Sequence, residues 1–174
     1  MEGCSIVLFQ RFYLCKSLLE YDAKKVLMCC IFLATKIEHK TIPLNDFLAK
    51  IPKSPSPIEM VDLELQVSSA LDFDYMIETP YWALHGFFLD LQIFIQDQPV
   101  SQSEKQSTLQ NLLSTYNASL QIVVKSLQTD LIFIYPSSQI ALACLLACQI
   151  PDLQLNDYIQ SRIIDHHKRL GDKN

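Results

Sequence analysis

Two groups of side chains in this sequence are of types that bind metal ions or act as nucleophiles. An Asp-His-His run lies at 165–167, and the adjacent Cys29 and Cys30 precede His39. Consecutive residues of a helix point about 100° apart, so the two cysteines and His39 do not converge on one ion. The histidine pair lies in a charged tail, where solvation explains it. Since no Ser/His/Asp arrangement or glycine-rich phosphate loop occurs, we predict no catalytic residue, no metal site and no cofactor.

The cysteines follow neither a redox nor a secretory pattern. The chain has six of them, none in a Cys-x-x-Cys pair, and no positively charged segment precedes an apolar run at the N-terminus. Cys29 and Cys30 lie in one apolar segment, and Cys144 and Cys148 share a face of another. We predict that the thiols are small buried hydrophobic groups in a reducing compartment.

Charged side chains at the end of an apolar helix are the remaining candidates for a functional site. Residues 26–34 are apolar nearly all the way round, and Lys36 and Glu38 follow. A helix without a polar face must be surrounded by other elements, and this one is far shorter than the ~20 residues that a bilayer requires. We interpret it as a central core helix whose charged C-terminal end reaches the surface. From the residues alone, we favour solvated helix ends or an internal lysine–glutamate pair over a binding role for Lys36 and Glu38.

Composition favours an all-α protein. Only three of the 174 residues are glycine, which argues against hairpins and phosphate loops that need positive φ. Hydrophobic residues make up 49% and charged residues 19%, enough for a buried core. The net charge of −5, without a basic face, argues against nucleic acid as a direct partner.

Local signals locate the other helices. Ser56 as N-cap, Pro57 at the first helical position and Glu59 three residues after the cap begin one helix. We expect its apolar side to contain Ile58, Val61, Leu65 and Leu71. Further helices are predicted near residues 1–14, 44–51, 80–91, 109–127, 139–150 and 155–163. The polar segment 96–107 is predicted to be a surface loop, and 72–78 a brief extended connector.

An internal repeat divides the chain. The segment 26–37 aligns with 139–150, so that Ala34 matches Ala147. A proline and then nearly the same tetrad follow each copy, LNDF at 44–47 and LNDY at 155–158. We interpret this as two copies of one helical unit, each with a central apolar helix.

Several segments resemble the cyclin family. FLATKIE at 32–38 resembles the end of the third helix of a first cyclin box, and ELQVSSALDF at 64–73 resembles the fifth. Within the family the cyclin H subfamily is the most similar, on these segments: RFYL at 11–14, LEY at 19–21, TPY at 79–81, GFFLDL at 86–91 and YPSSQIAL at 135–142. Cyclin C is the nearest alternative, because it shares RFY and IALACL but not LEY or the GFxxDL pattern.

The resemblance implies a tandem cyclin-box fold, with residues 1–78 as first box and 79–174 as second. It implies a nuclear regulatory subunit that binds and activates a cyclin-dependent kinase, within CDK-activating kinase and general transcription factor IIH, in RNA polymerase II transcription. The resemblance also implies a third assembly factor as a partner, and it implies no binding to a membrane. Carried over by position, Lys36, Glu38 and Glu64 are the kinase-binding residues.

The sequence departs from the family pattern in three places. The chain begins inside the expected second helix of box one, so we expect the first helix to be missing and part of the central helix to be exposed. It also ends soon after the fourth helix of box two, and His39 replaces a usual acidic residue. Alternatives at this stage are a cyclin C-like Mediator kinase subunit, a nucleic-acid adaptor like initiation factor IIB, and a reduced interaction module without kinase activation.

Overall fold

A computed structural model describes residues 2–148 and 155–164. Within those ranges every regular element is a helix and none is a strand, which confirms the predicted all-α class. The chain divides into two compact units, Met1–Glu78 and Thr79–Asn174, called unit 1 and unit 2.

Local sequence explains where the helices of unit 1 begin. They are α1 (Glu2–Cys15), α2 (Ala23–Ile37), α3 (Leu44–Ala49) and α4 (Pro57–Ala70). The Asp22 carboxylate caps α2 by accepting hydrogen bonds from two first-turn N–H groups at 2.8 and 3.2 Å. At the start of α4, Ser56 and Glu59 form the predicted capping box and Pro57 is the first helical residue.

The centre of unit 1 is α2, which packs against both α1 and α4. Most of its side chains are buried: Val26, Met28, Cys29, Cys30, Phe32, Leu33, Ala34 and Thr35. Leu8 and Phe12 of α1 and Met60 of α4 are fully buried with them. This confirms that the segment after Lys25 is the core helix of its unit.

One apolar stripe of α2 is exposed. Leu27 and Ile31 are 40% and 38% exposed. At 100° per residue they lie on the side of the helix opposite Lys25 and Lys36. α1 and α4 pack against much of the rest of α2. The general rule that an apolar helix is enclosed all round fails for this stripe, whereas the expectation from the family pattern that part of the central helix is exposed is confirmed.

The connector between the units is held to α1. Residues 74–79 have no regular secondary structure, and Asp72 and Phe73 precede them with φ of 52° and 56°. The Arg11 guanidinium donates to the backbone oxygen of Asp74 at 3.1 Å and to its carboxylate at 2.9 Å. These two bonds fix the chain where it leaves unit 1.

Unit 2 is built around α8, which packs against α5 and α6. Its helices are α5 (Pro80–Asp97), α6 (Gln102–Ser126), α7 (Leu131–Ile134), α8 (Ser137–Ala147) and α9 (Leu155–Tyr158), and α9 continues as a π-helix over Ile159–Ile164. Its largest buried aliphatic side chains are Leu84, Leu91, Ile95, Leu112, Leu127 and Leu145. As predicted, Thr79 precedes a helix with Pro80 at its first position, although the Thr79 side chain makes no capping bond.

The surface loop predicted over residues 96–107 is mostly helix. α5 continues to Asp97 and α6 begins at Gln102, so only four residues connect them. Ser101 and Glu104 form a second capping box, with bonds of 3.3 and 3.1 Å. The polar residues that suggested a loop are the solvent-facing first turns of a helix, and the four-residue α7 was not predicted.

The repeat has a structural counterpart in both units. α2 and α8 are each the buried helix of their own unit, and the tetrads form the short helices α3 and α9. Phe47 packs against Phe32 with ring centroids 5.3 Å apart, while Tyr158 packs against Phe94 at 5.5 Å. The matched residues Ile150 and Pro151 lie outside the described ranges.

Candidate functional site

Two of the three predicted site residues meet in unit 1. Lys36 is in the last turn of α2 and Glu64 is in the middle of α4, and their ammonium and carboxylate groups are 2.5 Å apart. The Lys36 side chain is 42% exposed and that of Glu64 20%. The ion pair thus joins two helices while leaving part of the lysine accessible to a partner.

An aromatic ring lies under the lysine. The Lys36 ammonium is 4.5 Å from the centroid of the Phe32 ring, within the range of a cation–π contact. Phe32 itself is buried and packs against Phe47 of α3. Lys36 is therefore held between a carboxylate and a ring that is fixed by the core.

Glu38 lies on a different side of α2. It is the C-cap residue, and its backbone N–H donates to the Ala34 oxygen at 3.0 Å. Burial raises the pKa of the Cys4 thiol, and the nearby Glu38 carboxylate raises this pKa further. The structure therefore brings Lys36 and Glu64 together but directs Glu38 elsewhere.

The apolar side predicted for α4 is exposed apart from its last residue. Ile58, Val61 and Leu65 are 76%, 53% and 62% exposed, while Leu71 is buried as expected. Met60 and Val67 take the buried positions instead. The helix has apolar residues at helical spacing on two faces, and the sequence prediction took the wrong one as the packed face.

This exposed stripe adjoins the ion pair. Val61 precedes Glu64 by three residues and Leu65 by four, which makes the three side chains neighbours on the helix surface. Leu44 of α3 and Pro57, together with Ile58, Val61 and Asp62, line a shallow depression of about 280 Å³. An apolar stripe beside a charged pair is typical of a protein-binding surface.

A second ion pair connects the same two helices. Lys25 and Glu59 are 3.5 Å apart, and both side chains are about half exposed. A hydrogen bond from the Ser56 backbone is the main cause that lowers the pKa of Glu59, and Lys25 contributes. The sequence could not place Lys25 within the family motif, so this pair was missed.

Unit 2 has an apolar groove of about 430 Å³ between α6, α7 and α8. It is lined by Ile122, Ser126, Leu131, Tyr135, Gln139, Ile140, Ala143 and Cys144. No predicted site residue lies in it. The sequence analysis treated 139–150 only as a central apolar helix and did not predict this groove.

The thiols support no catalytic or metal site in the described residues. Cys4, Cys29, Cys30 and Cys144 are buried as predicted, whereas Cys15 is exposed and Cys148 is partly exposed. Burial raises the pKa of Cys29, and raises that of Cys30 to about 12. No group of three potential metal ligands occurs across residues 2–148 and 155–164, and the 165–167 run lies outside them. None of the helices described is long and apolar enough to cross a bilayer.

Two family models match the chain. The model of the cyclin N-terminal domain matches residues 3–76, and that of the cyclin C-terminal domain matches residues 79–170.

Similar proteins and structures carry related names. Cyclin mcs2 of Schizosaccharomyces pombe is 29% identical over 145 residues, covering 83% of this chain and 42% of mcs2. Cyclin-H1-1 of Arabidopsis thaliana is 27% identical over 145 residues, covering 83% and 40%. A chain of the yeast TFIIK (Kin28/Ccl1/Tfb3) complex superposes with a TM-score of 0.75 at 28% identity, covering 92% of this chain and 66% of that one. This chain thus spans about half or less of the length of these two curated relatives.

Proposed function

Because the chain belongs to the cyclin family, we propose that it is a cyclin H-like regulatory subunit that binds and activates a cyclin-dependent protein kinase. In this proposal it acts in the nucleus, in CDK-activating kinase and transcription factor IIH, and contributes to RNA polymerase II transcription. The relative named Cyclin-H1-1 and the likeness to a chain of the TFIIK complex support this assignment. A third assembly subunit belongs to the proposal, as that complex has three named proteins.

The two units take the roles of the two cyclin boxes in this proposal. Unit 1, Met1–Glu78, is the first box and unit 2, Thr79–Asn174, the second. Within the first box, α2 corresponds to the third helix of the family and α4 to the fifth. These are the helices that the family resemblance assigns to the kinase surface.

The observation that carries the proposal is the surface where Lys36 and Glu64 adjoin the stripe of Ile58, Val61 and Leu65. The stripe offers apolar area, which contributes about 25 cal/mol per Å² when a partner covers it. The charged pair contributes less to affinity and more to orientation, because desolvating it costs free energy. Together they suit one face of an amphipathic partner helix.

Each predicted residue has a distinct role in this interface. Lys36 donates charge-assisted hydrogen bonds to backbone carbonyl groups of the kinase, with Glu64 holding its other side. Glu64 also orients a basic group of the partner. Glu38, the C-cap residue of α2, is assigned an edge contact only.

Activation follows from selective binding. Kinase activity requires a lysine–glutamate pair that forms only when the kinase C-helix is in its inward position. A rigid surface that binds the inward state better than the outward state shifts the population toward activity. The shift cannot exceed the difference between the two affinities.

A charge swap tests the site. Lys36→Glu combined with Glu64→Lys keeps an ion pair within unit 1 but reverses the charges presented to the kinase. We expect the swapped chain to remain folded and to lose co-purification with the kinase and activation of it. Asp97→Arg combined with Arg162→Asp is the matched control, because this pair lies in unit 2 at 3.1 Å. Full activation by the Lys36/Glu64 swap would show that the assigned surface is wrong.

A further inference from the structure

The buried side chain of Phe32 contacts a charged group at the surface as well as the core. Its ring is 3% exposed and packs against Phe47, as expected of a core residue. The same ring also lies 4.5 Å below the ammonium of Lys36, which is largely at the surface. Phe32 therefore connects the buried core of unit 1 with the Lys36 ammonium at the C-terminal end of α2.

The spacing of the two residues makes this contact persistent. Lys36 follows Phe32 by four residues in α2, and helical side chains lean toward the N-terminus, so the lysine stem extends back over the ring. Phe47, from α3, packs against the same ring but does not itself contact the ammonium. A lysine side chain otherwise loses considerable rotamer entropy when it is held in one conformation.

The contacts leave part of the ammonium available. An ammonium has three N–H donors. In the described residues, Glu64 accepts from the Lys36 ammonium and the Phe32 ring covers another side of it. Because the Lys36 side chain is 42% exposed, the remaining donor capacity is accessible from solvent.

We propose that Phe32 is a positioning residue that presents Lys36 to the partner kinase. Its ring fixes the direction of the lysine before binding, so the interface forms with less loss of side-chain entropy. This inference rests on the proposed function. It adds that the surface contact depends on a buried residue that never touches the kinase.

A double-mutant cycle separates positioning from packing. Affinity for the co-purifying kinase is measured for wild type, Phe32→Leu, Lys36→Met and the double variant. We expect Phe32→Leu to weaken binding about twofold to fivefold with Lys36 present, the range of an exposed cation–π contact, and to have no further effect in the Lys36→Met background. Phe32→Tyr, which keeps a ring, restores affinity.

Phe47→Leu is the matched control. It removes a ring of the same size from the same cluster without removing a contact to Lys36. We expect it to lower the unfolding midpoint as much as Phe32→Leu does, with a smaller loss of affinity. Equal losses of affinity for the two variants would assign Phe32 to packing alone.

Nuclear magnetic resonance gives a readout that is independent of the kinase. The ring current of Phe32 shifts the ε-methylene protons of Lys36 upfield in the isolated chain, and Phe32→Leu abolishes this shift while Phe32→Tyr keeps it. Absence of the shift in wild type overturns the inference, as does equal weakening by Phe32→Leu with and without Lys36. If the wild-type chain binds no kinase, the proposed function fails, and the role of Phe32 fails with it. That outcome differs from additive effects in the double-mutant cycle, which would overturn only the role of Phe32.

Discussion

The two central helices follow one repeat but present different surfaces. The repeat pairs Val26 of α2 with Gln139 of α8, and Cys30 with Ala143. Val26 and Cys30 are fully buried, whereas Gln139 and Ala143 are exposed and line the groove of unit 2. The same face of the repeated helix is therefore closed in unit 1 and open in unit 2.

Aromatic side chains account for the closed face. The Phe12 ring is 5.1 Å from both Tyr13 and Tyr21, with near-perpendicular planes. The Tyr13 hydroxyl donates to the backbone oxygen of Tyr21 at 3.1 Å, which ties α1 to the loop before α2. In unit 2 the face of α8 that carries Gln139 and Ala143 meets Ile122 and Ser126 of α6 and Leu131 of α7 across an open groove. The aromatic cluster thus accompanies the closed face in unit 1, and the groove accompanies the open face in unit 2.

The largest expected effect comes from removing the aromatic closure of unit 1. Phe12 is fully buried, so Phe12→Ala leaves a cavity and lowers the free energy of unfolding by about 3–5 kcal/mol. Urea unfolding followed by circular dichroism measures the loss. Phe73→Ala is the control, because Phe73 is 58% exposed and the same atoms are removed. Equal losses for the two variants would contradict the closed arrangement.

The next largest effect is expected from a substitution that makes unit 2 resemble unit 1 at a matched position. Tyr158, the counterpart of Phe47, is 1% exposed and donates to the Asp90 carboxylate at 2.8 Å. Tyr158→Phe removes a hydrogen bond to a charged group and lowers the free energy of unfolding by about 1.5–3 kcal/mol. Tyr135→Phe, at a half-exposed tyrosine, should change it little. If both variants unfold at the wild-type midpoint, the Tyr158 hydroxyl does not anchor α9.

The fold was predictable because its signals are local. Ser56, Pro57 and Glu59 specify the start of α4 by backbone hydrogen bonding alone, and the structure has the capping box they predict. The capping box at Ser101 and Glu104 was present in the sequence but overlooked, because a polar composition was taken to indicate a loop. The central helices α2 and α8 were predictable for a different reason, because each is a dense apolar segment of helical length and the two segments repeat.

The candidate site was only partly predictable because it depends on contacts between helices. Lys36 and Glu64 are 28 residues apart, and only the family resemblance placed them on one surface. Nothing in the spacing of α4 showed that Met60 and Val67 would be buried while Ile58 and Leu65 remained exposed. Which face of a doubly apolar helix is packed depends on the neighbouring helix, and a single sequence does not contain that information.

A smaller effect is expected from closing the groove of unit 2. Ala143→Leu adds apolar atoms at the position that Cys30 occupies in the repeat, and it should raise the free energy of unfolding by about 1 kcal/mol through burial. Thermal unfolding measures the change. Ala147→Leu makes the same substitution one turn later, at an exposed residue that does not line the groove, and should give less. Equal gains would mean that helix propensity, not filling of the groove, is responsible.

The smallest expected effect is a pH dependence of stability that arises at Asp74, where the chain leaves unit 1. A hydrogen bond from the Met76 backbone, and then the Arg11 side chain, lower the pKa of Asp74 below its ordinary value. A lowered folded-state pKa stabilises the fold above the unfolded value of about 3.9, and this contribution is lost as pH falls through the folded-state pKa. Asp74→Asn should therefore reduce the unfolding midpoint at pH 7 and show a shallower decline below pH 4 than wild type. Asp72→Asn removes a nearby carboxylate that Arg11 does not contact and should keep the wild-type slope. The same slope for Asp74→Asn would show that the hydrogen bonds to the Asp74 carboxylate do not stabilise unit 1.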